Sequence, residues 1–144
     1  NGSYNDKNYY NLLSATYNMM LTGYMPDYTC LVTPIFRAYE FYLHKILKDK
    51  MGLDTVRDNG TNNFAYFDKT SNGRYECNSS SKDKLTKKQL EFLNDFYTNY
   101  NRVRHPYSHW SADDYDTAMI ENIEKARELL EKGLNLINEY YRIF

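Results

Sequence analysis

The chain has little of what would assign it at once. Its 144 residues include two cysteines, three prolines, six glycines and one tryptophan. Cys30 and Cys77 stand far apart with no CxxC spacing, which argues against a zinc ribbon. A reduced, cytoplasmic setting is expected, with a single disulfide as the lesser reading. No apolar run approaches the ~18 residues of a membrane span and no signal-like start is visible, so no membrane association is expected. A net charge of −1 argues against a broad basic surface of the kind that coats nucleic acid. Gly-rich phosphate loops, a G-x-S-x-G elbow and paired glycosidase carboxylates are absent.

Residues 1–144 make one domain of ordinary size, and the missing initial Met suggests a piece of a longer chain. Sixteen tyrosines invite base stacking, but drift in composition is the plainer source. Three Asn-x-Ser/Thr triplets among sixteen asparagines are read as chance. Charge is uneven: residues 82–110 carry six Lys/Arg against three acids, residues 111–144 four against eight. A polyanion contact is therefore expected near the middle of the chain.

Four helices are expected. The first spans about 4–22, with Leu12, Leu13, Tyr17, Met20 and Leu21 at helical spacing, and ends at Gly23 and Pro26. The second is "TPIFRAYEFYLHKILKDKMG", capped by Thr33 with Pro34 at its first position. Ile35, Phe36, Tyr39, Leu43, Ile46 and Leu47 form its apolar stripe, and Arg37, Glu40 and His44 fall along one border of it. Residues 53–84 lose the helical period. There "FAYF" and "RYEC" suit a small hairpin in a turn-rich insertion that packs on the bundle. The third helix opens on the capping box Thr86-Lys-Lys-Gln89, buries Leu90, Leu93, Phe96, Tyr97 and Tyr100, and should end near Arg104 because of Pro106. A long fourth helix follows Ser111, with a seam through Met119, Ile123, Ala126, Leu130, Leu134, Ile137 and Tyr141. Gly133 in that seam fits a close helix approach. The class is all-α.

The chemistry concentrates in "YNRVRHPYSHW", residues 100–110. Arginine presents a planar, permanently charged fork to phosphate, and histidine moves protons at neutral pH. A break at Pro106 would let Arg104 and His109 face one site, where they could cleave RNA without a metal. The same residues also fit a satisfied helix terminus, with Arg102 and Arg104 complementing the negative end of the third helix. His105 and His109 have HxxxH spacing, but Pro106 denies the helix that would aim both at one ion. No metal or other cofactor is expected.

"RHPYSH" resembles the signature of the HEPN superfamily: arginine, a polar residue, three residues, then histidine. "PIFRAYEFYLHKIL", followed by "FYTNYNRVRHPYSHW", is similar to the C-terminal domain of the ribonuclease LS toxins of the RnlA and LsoA type. The likeness is strongest over 34–52 and 90–116. It implies a HEPN-like helical bundle, a metal-independent endoribonuclease acting as a toxin in a toxin–antitoxin or anti-phage system, and an active site built across a homodimer. RNA would be the substrate and a protein antitoxin the inhibitor. By the same resemblance Arg104, His109 and Glu40 would be catalytic. His105, Arg102 and Arg37 are candidates for substrate binding, the last two without an assured counterpart. The alternatives are a non-catalytic HEPN-type interaction or RNA-binding module, and a nucleotide-binding regulatory domain.

Overall fold

A central helix surrounded by three others organises the molecule. The computed structural model describes residues 2–25, 27–108 and 119–144, except the side chains of 2–4 and 105–108. Helix α1 is Gly2–Met19, α2 Thr33–His44, α3 Lys87–Ser108 and α4 Ile123–Ile143. A 3₁₀ turn, Thr29–Val32, leads directly into α2, so Val32 occupies the cap position expected for Thr33 and no side chain caps that helix. Beyond His44 the helix widens into a π-helical turn, Lys45–Lys50, that keeps Ile46 and Leu47 buried. Gly52 (φ 70°) then supplies the left-handed residue that ends it.

α2 packs on α1, α3 and α4. Its residues Ile35, Phe36, Ala38, Tyr39, Phe41, Tyr42 and Leu43 are all buried, which leaves Arg37, Glu40 and His44 as its polar stripe. Opposing positions on α3 (Phe92, Leu93, Phe96, Tyr100) and α4 (Ala126, Leu130, Ile137, Tyr140) complete the core. Gly133 lets α4 approach α2. A Cβ there would run into the Ile35 side chain and sit 3.3 Å from Tyr39 Cε2. The helical faces differ from expectation in two places. α1 buries Asn8 and Ala15, with Leu12 and Met19 packed beside them and Tyr17 exposed, and it ends at Met19, so Met20 and Leu21 lie exposed beyond it. The buried seam of α4 runs through Leu129, Leu130, Gly133, Leu136, Ile137 and Tyr140, leaving Tyr141 and the preceding Met119 exposed.

Two expected boundaries are corrected. α3 does not stop at Arg104 but continues through Pro106 to Ser108. The proline removes one backbone bond, at the Arg102 carbonyl, close to an end where carbonyls already go unsatisfied. α4 starts at Ile123, capped by Asn122 Oδ1 accepting from the Lys125 amide at 2.8 Å, because residues 119–122 are not helical. Ser111, after which this helix was expected to begin, lies outside the described residues. The capping box is present: Thr86 Oγ1 accepts from the Gln89 amide at 3.2 Å, and Gln89 Oε1 from the Thr86 amide at 3.0 Å.

The insertion holds the expected hairpin. Strands β1 (Phe67–Lys69) and β2 (Tyr75–Cys77) pair antiparallel across a turn whose Gly73 has φ 81°. It docks on α3, where Thr98 Oγ1 and Asn94 Oδ1, one helical turn apart, each accept at 2.9 Å from the amides of Tyr75 and Cys77. Phe67 stacks on Tyr97 at 3.8 Å between ring centres. Cys30 and Cys77 are free thiols. Among the described residues no helix is long and apolar enough to cross a membrane.

Candidate functional site

The polar stripe of α2 faces the C-terminal half of α3, and there the two halves of the sequence signature meet. Glu40 projects from α2 with about a quarter of its side chain exposed, and Arg104 Nε lies 3.4 Å from its Oε1. Tyr100, one turn before Arg104, donates its hydroxyl to the same Oε1 at 2.8 Å. The Arg104 guanidinium also sits over the Tyr100 ring, 5.6 Å from its centre. Burial, reinforced by the charge of Glu40, pushes the Tyr100 hydroxyl well above the ordinary tyrosine value, so it stays a donor. Oε1 thus carries both bonds and leaves Oε2 of Glu40 without a described partner. A half-exposed pair of this kind contributes at most about 1 kcal/mol to stability, so its geometry matters more than its energy.

This cluster forms one wall of a cavity of about 640 Å³, lined also by Arg57, Asn62, Phe64 and Tyr97. That volume falls in the ~300–1,000 Å³ range of ligand sites. A second cavity of about 220 Å³ lies along the same stripe, lined by Lys7, Asn8, Arg37, Glu40, His44 and Asn62. Glu40 and Asn62 belong to both. The wall facing α2 comes from the insertion: His44 Nε2 and Asn62 Oδ1 hydrogen-bond at 2.9 Å, and the His44 ring meets Phe64 edge-on at 4.9 Å.

The structure therefore joins Glu40 with Arg104 and sets Arg37 at the adjacent cavity. Arg102 is exposed and lines neither cavity. It sits two residues from Arg104, on the far side of a continuous helix. The His105 side chain and the whole of His109 lie outside the described residues. His44, one turn on from Glu40 along α2, hydrogen-bonds Asn62. Three lining residues escaped the sequence reading. Tyr100 was legible only as core, and its i, i+4 spacing to Arg104 was the available signal. Arg57 and Asn62 sit in a turn-rich stretch with no motif. No three His, Cys, Asp or Glu side chains gather into a metal-binding group among the described residues.

None of the curated proteins matches this chain in sequence. Among solved structures the fold is similar to that of the Escherichia coli toxin LsoA, determined in complex with the T4 phage antitoxin Dmd, with a TM-score of 0.56 and 18% identity. That match covers 88% of this chain and 51% of LsoA, so the chain spans about half the length of that toxin. Residues 2–111 match the family described as "RNase LS, bacterial toxin DBD domain", and this chain belongs to that family.

Proposed function

We propose that the chain is the nuclease-bearing part of a bacterial toxin: a metal-independent endoribonuclease of HEPN type, acting in a toxin–antitoxin or anti-phage system. The observation that carries this reading is the Glu40–Arg104 contact at the wall of a nucleotide-sized cavity. It unites two residues that lie more than sixty positions apart, on a helix that leads to His109. In the mechanism the ribose 2′-hydroxyl attacks the adjacent phosphorus. The 5′-oxygen leaves, giving a 2′,3′-cyclic phosphate and a 5′-hydroxyl. The Arg104 guanidinium neutralises the charge that builds on the phosphate oxygens. His109 transfers one of the two protons. Glu40, fixed through Oε1 by Tyr100 and Arg104, orients the imidazole or accepts a proton at Oε2. His105, Arg102 and Arg37 are the substrate-side candidates, Arg102 the weakest of them by position.

The working unit in this reading is a homodimer whose two-fold places both Arg104–His109 segments at a shared cleft. Its inhibitor is a protein antitoxin, as LsoA is bound by Dmd. The test uses labelled RNA in EDTA with the wild-type chain and Arg104→Ala, His109→Ala and Glu40→Gln variants. Cleavage should survive chelation and fall by ~10²–10⁴ in the Arg104 and His109 variants. Wild-type and variant chains that leave RNA equally intact would sink the enzyme reading in favour of a non-catalytic binding module.

A further inference from the structure

The insertion loop at 54–63 does more than close over α2. Its ends meet through the Asn63 amide donating to the Thr55 carbonyl at 2.8 Å, and the Arg57 amide donates to the Thr61 carbonyl at 2.8 Å. Arg57 is exposed, yet its guanidinium is tied on one side: Nη1 donates to the Asn62 carbonyl and reaches Thr61 Oγ1. The Nε–Nη2 edge, the fork that pairs with a phosphate, has no protein acceptor among the described residues. Asn62 in turn is anchored to His44 on α2. The loop therefore holds a preorganised arginine at the rim of the cavity that Arg104 lines.

The same cavity is lined by Tyr97, Asn62 and Asn101, with the buried rings of Phe64 and Tyr100 at its floor. A partly exposed tyrosine beside amide side chains and a guanidinium is the chemistry that receives a base and its phosphate. On the other side of Glu40, the smaller cavity offers Lys7 and Arg37. The polar stripe of α2 is thus a ridge between two cation-lined hollows. We infer that these hollows are two nucleotide subsites of one single-stranded RNA path, with Arg57 gripping a phosphate at the rim of the larger hollow that Arg104 also lines, and Lys7 and Arg37 facing the phosphate of the neighbouring nucleotide. The inference rests on the nuclease reading for which phosphate is cut, but not for its binding test.

The probe is a 2′-O-methyl RNA tetranucleotide, which lacks the attacking hydroxyl and stays intact. Its affinity is measured by fluorescence anisotropy for the wild type, Arg57→Ala, Arg57→Lys and Lys69→Ala, the last removing an exposed charge on β1 away from both cavities. Arg57→Ala should weaken binding about tenfold, Arg57→Lys by less, and Lys69→Ala by under about twofold. Circular dichroism melting of each variant reports folding. Wild-type affinity in a folded Arg57→Ala chain, equal losses in Arg57→Ala and Lys69→Ala, or no binding by the wild type would each overturn the path. Arg57-dependent binding of a cleavable RNA that is never cut would leave the path standing and remove the nuclease. Cleavage with Arg57-independent binding would do the reverse.

Discussion

Glu40 has its position from two neighbours that do different things. Arg104 supplies charge at 3.4 Å, whereas the Tyr100 hydroxyl fixes Oε1 at 2.8 Å and holds the carboxylate at the cavity wall. Under the proposed nuclease function, Tyr100→Phe should therefore lower kcat for RNA cleavage by about tenfold or more, the worth of ~1.5 kcal/mol for a hydrogen bond to a charged group, with KM little changed. A variant whose kcat is intact while its melting temperature drops would assign Tyr100 to structure alone. A second residue-scale consequence comes from Tyr39, which is 2% exposed and whose hydroxyl is pushed far above the ordinary tyrosine value of 10.0 by burial. Its folded pKa is raised, so its contribution is complete below pH ~10, where both states are neutral, and is lost as pH rises further and only the unfolded chain ionises. Stability should fall above pH ~10 by about 1.4 kcal/mol per pH unit from this residue. Urea unfolding of Tyr39→Phe over that range should show a correspondingly shallower decline, and an unchanged slope would contradict the assignment.

Among the elements, the close crossing of α4 over α2 depends on Gly133. Alanine there gains helix propensity of ~1 kcal/mol but drives its Cβ into the fully buried Ile35 side chain. Overpacking wins, and Gly133→Ala should destabilise by about 1–3 kcal/mol in denaturant melts. Adding Ile35→Ala should cost less in the Gly133→Ala background than in the wild type, because it removes the obstruction. The hairpin has its own hinge point. Thr98 and Asn94 satisfy the β2 edge, so Asn94→Ala with Thr98→Ala should raise hydrogen exchange at Tyr75 and Cys77 while the exchange of α2 stays slow. Such elements were readable to the extent that they are local. The Thr86–Gln89 box, the buried stripe of α2 and the β1–β2 turn each follow from residues a few positions apart. The rule that proline ends a helix is local as well. It misplaced the end of α3 because the lost bond sits in the last turns, where its cost is smallest. The α1 face was misjudged since Met20 and Leu21 continue the helical spacing past Met19, where the helix ends, and Tyr17 within it is exposed.

At the scale of the molecule, the proposed RNA path assigns stability and recognition to different parts of the chain. The helices supply the core; the family resemblance named Glu40 and Arg104 as catalytic and the sequence showed Glu40 on a border of α2, but their ion pair was not foreseen, Glu40 having been expected beside an imidazole. The loop that completes the cavity was not readable, because the bond between His44 and Asn62 is set by tertiary packing and "DNGTNN" reads only as a turn. This division predicts that the loop can be removed without unfolding the bundle. Val56–Thr61 is exposed throughout, and the 2.8 Å bond between Thr55 and Asn63 already brings the ends together. Replacing residues 56–62 with a two-residue Asn-Gly turn discards no buried side chain, and loop-closure entropy changes by only about 1 kcal/mol. The shortened chain should melt within a few degrees of the wild type, while its affinity for the 2′-O-methyl tetranucleotide falls at least as far as in Arg57→Ala. Loss of cooperative melting would place part of the core in the loop. Undiminished RNA affinity would mean that the path runs elsewhere on the bundle, with the α2 ridge left as a structural ion pair.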